Sequence, residues 1–274
     1  MKSTKMKSRN TKGNKEPDDD IFAEERRQLI VEFINTHQRT TVPQLCEQFS
    51  VSPATIRNDL RELEGSSLIK RTHGGALSNS KTNYEPDSYQ KEVEHIEEKR
   101  KIARAAVKKI RDNDSIALDT GTTTFEMAKL LVSFKNLTVV TNDLQIASFL
   151  ERNTNTNIIF AGGSVRRNFH CTTGQKAVEA ISELNVDKCF IAANAIDLEK
   201  GLSTPNLDIA HFKRKLLEIA SQVIVMADSS KFGMVSFVKF AKLDKIDFII
   251  TDEGISEKMK DFFEKENIIV EIAR

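Results

Sequence analysis

From about Ile96 onward, short runs rich in apolar and β-branched residues alternate with stretches of helical periodicity, and this alternation narrows the possible folds more than any other feature. The strand-like runs are Ser115–Leu118, Leu137–Val140, Asn157–Ala161, Lys188–Ala192, Val223–Ala227, Phe248–Thr251 and Ile268–Glu271. Strands that read as near-continuous apolar runs are covered on both faces, as happens when crossover helices flank a parallel sheet. Residues 96–274 therefore read as one α/β domain with a mainly parallel sheet. No internal repeat is visible.

Residues 21–77 follow a different rhythm. Leu29, Ile30, Phe33 and Ile34 place an apolar stripe on a first helix. Val42, Leu45, Cys46 and Phe49 recur at i, i+3, i+4 and i+7, giving a short second helix capped by Thr40 or Thr41. Ser50-Val51-Ser52 is a tight turn, after which Ser52 is a suitable N-cap and Pro53 suits a first helical position. The third helix runs to about Glu64 with Ile56, Leu60 and Leu63 turned inward. Leu68–Thr72 reads as a strand, and His73-Gly74-Gly75-Ala76 as a turn into a returning strand. Residues 78–95 are largely polar without periodicity and read as a linker, and residues 1–20 as a disordered tail.

Two short helices joined by a three-residue turn describe a helix-turn-helix, whose second helix enters a DNA groove. With Ile56, Leu60 and Leu63 inside, rotation of 100° per residue leaves Ala54, Asn58 and Arg61 outside, flanked by Thr55 and Arg57. The small residues at Ser52, Pro53 and Ala54 let the helix end approach base edges. Arg57 and Asn58 carry the groups that read guanine and adenine, and Thr55 suits a thymine methyl or a phosphate. Thr41, at the start of the second helix, and Lys70, Arg71 and His73, on the hairpin, are placed to meet the phosphate backbone. A small helical bundle with a polar outer face and no DNA role is the alternative that periodicity alone leaves open.

The second domain's clearest site signal is Asp119-Thr120-Gly121-Thr122-Thr123-Thr124, directly after the strand SIAL and before a helix starting near Phe125. A glycine there turns backbone N–H groups toward an anion, and the threonines add hydroxyls. Thr141-Asn142 after LTVV, Gly162-Gly163 after NIIF with Arg166 just beyond, and Lys231 after VIVMA occupy equivalent places. Ligands of open α/β sheets gather at the carboxyl ends of strands, so these loops are expected to converge on an anionic ligand.

The stretch RRQLIVEFINTHQRTTVPQLCEQFSVSPATIRNDLRELEGSSLIKRTHGGAL resembles the winged helix-turn-helix of the DeoR family of bacterial regulators, above all in Thr55-Ile56-Arg57-Asn58-Asp59-Leu60 and Arg71-Thr72-His73-Gly74-Gly75-Ala76. DTGTTT, VVTND, FAGGSVR, FIAANAID, GLSTPN, Lys213-Arg214 and MADSSKFG resemble the family's C-terminal sensor domain, which is similar in fold to ribose-5-phosphate isomerase. The family often has a second Arg where Asn58 stands, a Gly where Ser67 stands and a Glu where Ile209 stands. The resemblance implies a repressor of a sugar or sugar-acid catabolic operon that binds double-stranded operator DNA and releases it when a phosphorylated sugar binds. Reading two half-sites implies a homodimer or a homotetramer, and activation rather than repression stays open.

Composition agrees with that class without selecting it: 39% of residues are apolar, 30% are charged and the net charge is +1. The three cysteines, Cys46, Cys171 and Cys189, are far apart with no CxxC pair, against zinc and against a disulfide framework. The Lys-rich N-terminus lacks an apolar core for a signal peptide, and no apolar run reaches membrane-spanning length, so a cytoplasmic protein without cofactor or metal is expected. His95, His170 and His211 lack ligand spacing, and KEVEHIEEKR reads as solvated helix. The competing function is a sugar-phosphate isomerase with an accessory helical module, for which Asp119, Asp228 and Lys231 would supply acid, base and electrophile. An isomerase has no use for a recognition helix and wing.

Overall fold

Helix α1 (Asp18–His37) packs through Ile30 and Ile34, which are fully buried, with Val31 and Phe33 partly buried beside them. Leu29 departs from the expected stripe and is 47% exposed, because the inward face centres on the Ile30–Ile34 row. In this computed structural model the described residues are 18–37, 39–66, 68–78 and 85–274. Residues 1–17 of the tail expected over residues 1–20, Ser67 and residues 79–84 of the expected linker lie outside them, whereas Asp18–Asp20 belong to α1 rather than to a tail.

After α1 come β1 (Arg39–Thr41), α2 (Val42–Phe49), α3 (Pro53–Gly65), β2 (Ile69–Thr72) and β3 (Gly75–Ser78). Thr41 rather than Thr40 caps α2: its side chain accepts the Gln44 N–H while its own N–H donates to Gln44 Oε1 at 2.9 Å. Such a reciprocal cap stabilises a helix start by about 1 kcal/mol. Ser50 ends α2 in the left-handed region (φ 54°) and Ser52 caps α3. Val42, Leu45, Ile56, Leu60, Leu63, Ile69 and Ala76 close the core. The sheet order is β1-β3-β2, so β3 lies between the short β1 and its hairpin partner, a winged helix-turn-helix. β1 has no sequence signal of its own at three residues.

The chain forms two compact units, Met1–Ser80 and Lys81–Arg274. Residues 85–95 differ from the linker expectation by folding within the second unit. They include α4 (Ser88–Val93), held by a capping box between Asp87 and Gln90, and are followed by α5 (Ile96–Val107). Next come β4 (Ser115–Leu118), α6 (Thr122–Ala128), β5 (Thr138–Thr141), α7 (Leu144–Asn153) and β6 (Asn157–Phe160). A hairpin of β7 (Ser164–Arg166) and β8 (Cys171–Thr173) leads to α8 (Gln175–Ile181) and β9 (Val186–Ala192). β10 (Ala195–Asp197) and β11 (Gly201–Thr204) precede α9 (Leu207–Ile219), β12 (Ala220–Met226) and β13 (Val238–Ala241). β14 (Phe248–Thr251), α10 (Glu257–Lys265) and β15 (Ile269–Ile272) complete the unit.

The seven strand-like runs of the sequence supply a seven-stranded parallel sheet of order β15-β14-β12-β9-β4-β5-β6, with ends moved by no more than three residues. Its residues alternate between two cores, as the period of two requires. Ala117, Val140, Cys189, Ile191, Val223, Val225 and Ile249 join Phe212, Leu216 and Phe263 on one face. Ile116, Leu118, Val139, Phe190, Ile224, Met226 and Ile250 join Ile102, Met127 and Leu150 on the other. From β4 the chain proceeds outward through β5 and β6, whereas β9 lies on the opposite side of β4. That reversal opens a crevice between the carboxyl ends of β4 and β9, where ligands of such sheets bind.

Candidate functional site

In the first unit, Ser52, Pro53, Ala54, Arg57, Asn58 and Arg61 are exposed, and Thr55 is half-buried. Arg61 Nη1 donates to Asn58 Oδ1 at 2.9 Å, so the two side chains present one polar surface on α3. Thr41, Lys70, Arg71 and His73 are also exposed. Arg71 is engaged by Glu64, with Nη1 3.4 Å from Oε2. This exposed pair is worth little and yields readily to a phosphate.

Asp59, on the inner side of α3, is invisible to a reading of apolar periodicity because it is charged. It is buried, and its carboxylate accepts Arg26 Nε at 2.8 Å, with Arg27 Nε at 3.8 Å. The pair ties α1 to α3 behind the exposed face.

In the second unit, Asp119 directly follows β4 with its side chain fully buried. Its Oδ2 accepts the Ala192 N–H at 3.0 Å and pairs with Lys213 Nζ, which also donates to Ala192 O at 2.8 Å. Lys213 of α9 thereby stitches β4 to β9 at the point where the strand order reverses. Asp119 Oδ1 is buried without a hydrogen-bond partner among the described residues. Gly121 follows at φ 157° and ψ 159°, a region effectively confined to glycine, and a Cβ there would meet Ala192 Cβ at 3.2 Å. α6 starts at Thr122, earlier than expected, because the threonines form its first turn; Thr124 Oγ1 donates to Gly121 O at 2.8 Å. Thr123 is buried and Thr122 half-buried.

Thr120 Oγ1 donates to Asp143 Oδ2 at 2.7 Å, linking the first two loops. Asp143 also caps α7 through the Gln145 and Ile146 N–H groups. Burial pushes its carboxyl up, against the N–H groups and the Thr120 hydroxyl that accompany it. Thr141 Oγ1 accepts the Asp143 N–H, and Asn142 Nδ2 donates to Thr172 O at 2.8 Å. Both side chains are fully buried, and Asn142 Oδ1 has no partner among the described residues. Gly162 is open to a side chain, whereas a Cβ on Gly163 would lie 2.5 Å from Thr173 O, so Gly163 serves the β7–β8 hairpin.

Cations gather around the loops. Arg166 lies 2.8 Å from Glu85 Oε2, Lys91 lies 2.7 Å from Glu85 Oε1, and Asn194 Nδ2 donates to Glu85 Oε1 at 3.2 Å. Arg166 and Lys91 both stand over the Phe169 ring, at 3.5 and 5.6 Å from its centre. Lys231 lies 3.8 Å from Asp228 Oδ2 and acts electrostatically on Lys91. Burial raises the Asp228 carboxyl, but Lys231, the Ser230 hydroxyl, His95 and Lys99 outweigh it and hold the carboxyl below its ordinary range.

Glu85, Lys91, Lys99 and Asn194 are not among the site residues expected from the sequence. The first three come from segments that read as linker and solvated helix. The Asp87–Gln90 capping box is the available signal that this region folds. Ile209 is buried in α9, so the position where the resemblance carries a Glu is apolar core here.

Lys99 is buried, and its ammonium donates to Glu94 O at 2.6 Å and to Lys91 O. Burial lowers its pKa from 10.5 to about 8, opposed by Asp228 and Glu94 and assisted by Lys231 and Lys91. Between those values the unfolded chain binds more protons than the folded one, so stability rises with pH across that window. Relative to a Lys99→Met variant, the wild-type unfolding free energy is expected to climb by about 3 kcal/mol between pH 8 and 10.5. The carbonyls orphaned in the variant add only a constant offset, so parallel curves from urea titrations would refute this.

Residues 26–82 match the model of the DeoR-like helix-turn-helix domain and residues 94–253 that of the DeoR C terminal sensor domain. The chain belongs to the DeoR family. This DeoR-family chain is 37% identical over 246 residues to the "HTH-type transcriptional regulator GlpR" of Haloferax volcanii, a span of 90% of this chain and 96% of that protein. It is 36% identical over 233 residues to the "Putative aga operon transcriptional repressor" of Escherichia coli O157:H7, covering 84% and 87%. It is a transcriptional regulator and not an enzyme. Ribose 5 phosphate isomerase A from Neisseria gonorrhoeae shares 17% identity and a TM-score of 0.37 over 51% of this chain and 54% of that one, a partial likeness from which no activity follows. Among the described residues, no helix is long and apolar enough to cross a membrane, and no cluster of His, Cys, Asp and Glu could hold a metal.

Proposed function

We propose that this regulator represses a sugar or sugar-acid catabolic operon and releases its operator when a phosphorylated sugar binds the second unit. Relatives named as repressors include the putative aga operon transcriptional repressor and the "HTH-type transcriptional repressor GlcR" of Bacillus subtilis. The observation that carries the effector reading is that Lys91 feels the charges of both Lys231 and Arg166, while Arg166 and the Thr120 and Asp119 side chains of the β4 loop all act on Cys171. A phosphate suits this setting because charge-assisted bonds to Arg and Lys are roughly twice as strong as neutral ones. The loop's threonines, with Thr141 and Asn142 beyond them, and Gly162 and Gly163 near Arg166 complete the proposed pocket.

On DNA, α3 lies in the major groove with Arg57 and Asn58 on base edges. Ser52, Pro53, Ala54, Thr55 and Arg61 line the approach, and Thr41, Lys70, Arg71 and His73 contact the flanking phosphates. Two half-sites call for a dimer or a tetramer.

The test is binding to a fluorescent fragment of the gene's own upstream DNA at two salt concentrations, with and without a panel of phosphorylated sugars. Tight, salt-sensitive binding relieved by one compound is expected. Arg57→Ala should weaken operator binding by about 1–3 kcal/mol, roughly 5- to 150-fold, and relax the preference at one base. Specific binding relieved by none of the phosphorylated sugars would overturn the effector assignment, and binding indifferent to Arg57 would overturn the docking.

A further inference from the structure

Glu85 stands where a ligand's anion would be expected. Lys91 Nζ lies 2.7 Å from Oε1 and Asn194 Nδ2 donates to the same oxygen, while Arg166 Nη2 lies 2.8 Å from Oε2 without the alignment of a hydrogen bond. The side chain is only 9% exposed. Asn194 is in turn fixed by Thr204, whose hydroxyl donates to its Oδ1 at 2.9 Å. Glu85 is thus an ion with two cations, one well-made set of contacts and one imperfect one, on residues from three separate stretches of the fold.

We propose that Glu85 is an internal occupant of the sensor's anion subsite, and that the phosphate or carboxylate of an effector displaces it from Lys91 and Arg166. This rests on the effector reading above and deepens it: it adds Asn194 to the subsite and names what the ligand must remove. Burial works against the Glu85 carboxylate, yet Lys91 and Arg166 hold its pKa below the ordinary range, so it competes in its charged form. The position of Glu85 in the chain gives the displacement a consequence. It follows Ser78, the last residue of the wing strand β3, by seven positions. Ligand entry therefore frees the sensor's own residues from Glu85 onward, the part of the sensor that lies nearest the wing in sequence. A ligand with one compact anionic group satisfies the two cations, whereas a neutral sugar cannot replace the charge.

The test uses the full chain and inorganic phosphate as probe, titrated calorimetrically into wild type, Glu85→Gln and Glu85→Gln/Lys91→Met. Glutamine keeps the size and the Asn194 contact but removes the competing charge. Phosphate should bind Glu85→Gln about tenfold to a hundredfold more tightly than wild type, and the added Lys91→Met should abolish that gain. In wild type, phosphate should also speed amide hydrogen exchange in the peptide covering residues 85–95, a readout that needs no variant. Equal or weaker binding by Glu85→Gln, with unchanged exchange in wild type, overturns the proposal and leaves the anion sensor standing. Loss of phosphate binding in Lys231→Met and Arg166→Met with no response to Glu85→Gln overturns it in the same way. Absence of phosphate binding to every variant, together with no relief of DNA binding by any phosphorylated sugar, removes the effector reading itself.

Discussion

Replacing Lys213 by Met is expected to destabilise the second unit by about 3–4 kcal/mol at pH 7, the largest effect of any single side chain at the strand crossover. Lys213 and Asp119 are both buried, and among the described residues the ammonium is the only charge paired with that carboxylate. Removing one partner of such a pair typically costs about 3–5 kcal/mol, because the other charge is left without compensation. Protonation of Asp119 sets a ceiling: neutralising a carboxyl of ordinary pKa at pH 7 costs about 4 kcal/mol. Burial already holds the Asp119 carboxyl above its ordinary value in the wild type, against the pull of Lys213, and without Lys213 it rises further. The deficit is therefore largest at neutral pH and shrinks as acidification protonates the carboxyl in both proteins. The double variant Asp119→Asn/Lys213→Met should recover most of the loss, since removing both charges leaves only ordinary polar groups to satisfy. Urea unfolding at pH 7 and pH 5 distinguishes this from a packing defect, whose cost does not depend on pH. The Asp119–Thr123 loop loses its anchor at the same time, so effector binding should weaken in the single variant.

Gly75→Ala should remove operator binding while leaving the second unit intact. A Cβ on Gly75 would lie 1.9 Å from Thr40 O, 2.7 Å from Thr41 Cα and 2.9 Å from Thr40 C. All three are backbone atoms, so no side chain can rotate away. β3 must instead part from β1, breaking the Thr41–Gly75 pairing and straining the bond from Val42 N to Gly74 O at 2.8 Å. Overpacking of this kind costs about 1–3 kcal/mol or more. That is a large fraction of the stability of a unit this small. Calorimetry should show an early transition for the first unit and an unshifted one for the second. Wild-type operator affinity in Gly75→Ala would contradict the role given to the wing.

The seven strands of the large sheet are legible in the sequence because each is an apolar run between polar turns, and burial on both faces leaves little else such runs can do. The strands β7, β8, β10, β11 and β13 are not, since pieces of three or four residues outside the large sheet carry no clear apolar run or periodicity. The exposed face of α3 follows from its three buried apolar residues and the helical repeat. Asp59 is hidden from that reading because its burial depends on Arg26, a partner 33 positions away. The proposed effector loops are marked in the sequence by their place after strands. Glu85, Lys91 and Lys99 are not, because local polarity suggests solvent, whereas here each is covered through partners supplied by distant or neighbouring backbone and side-chain groups. A charged residue's burial is a property of its pairings, and pairings are not written locally.

An anion bound at the strand ends and an operator bound by α3 are expected to oppose each other through one protein. The most direct test is to measure the relieving compound's affinity for the free protein and again with operator DNA in saturating excess. If the two sites are coupled, DNA must weaken the compound by the same factor by which the compound weakens DNA, a coupling of roughly 5- to 150-fold in typical cases. Equal factors are the expected result. A compound that binds free and operator-bound protein with the same affinity would show that the sensor does not control the DNA module, and would contradict the proposed regulation.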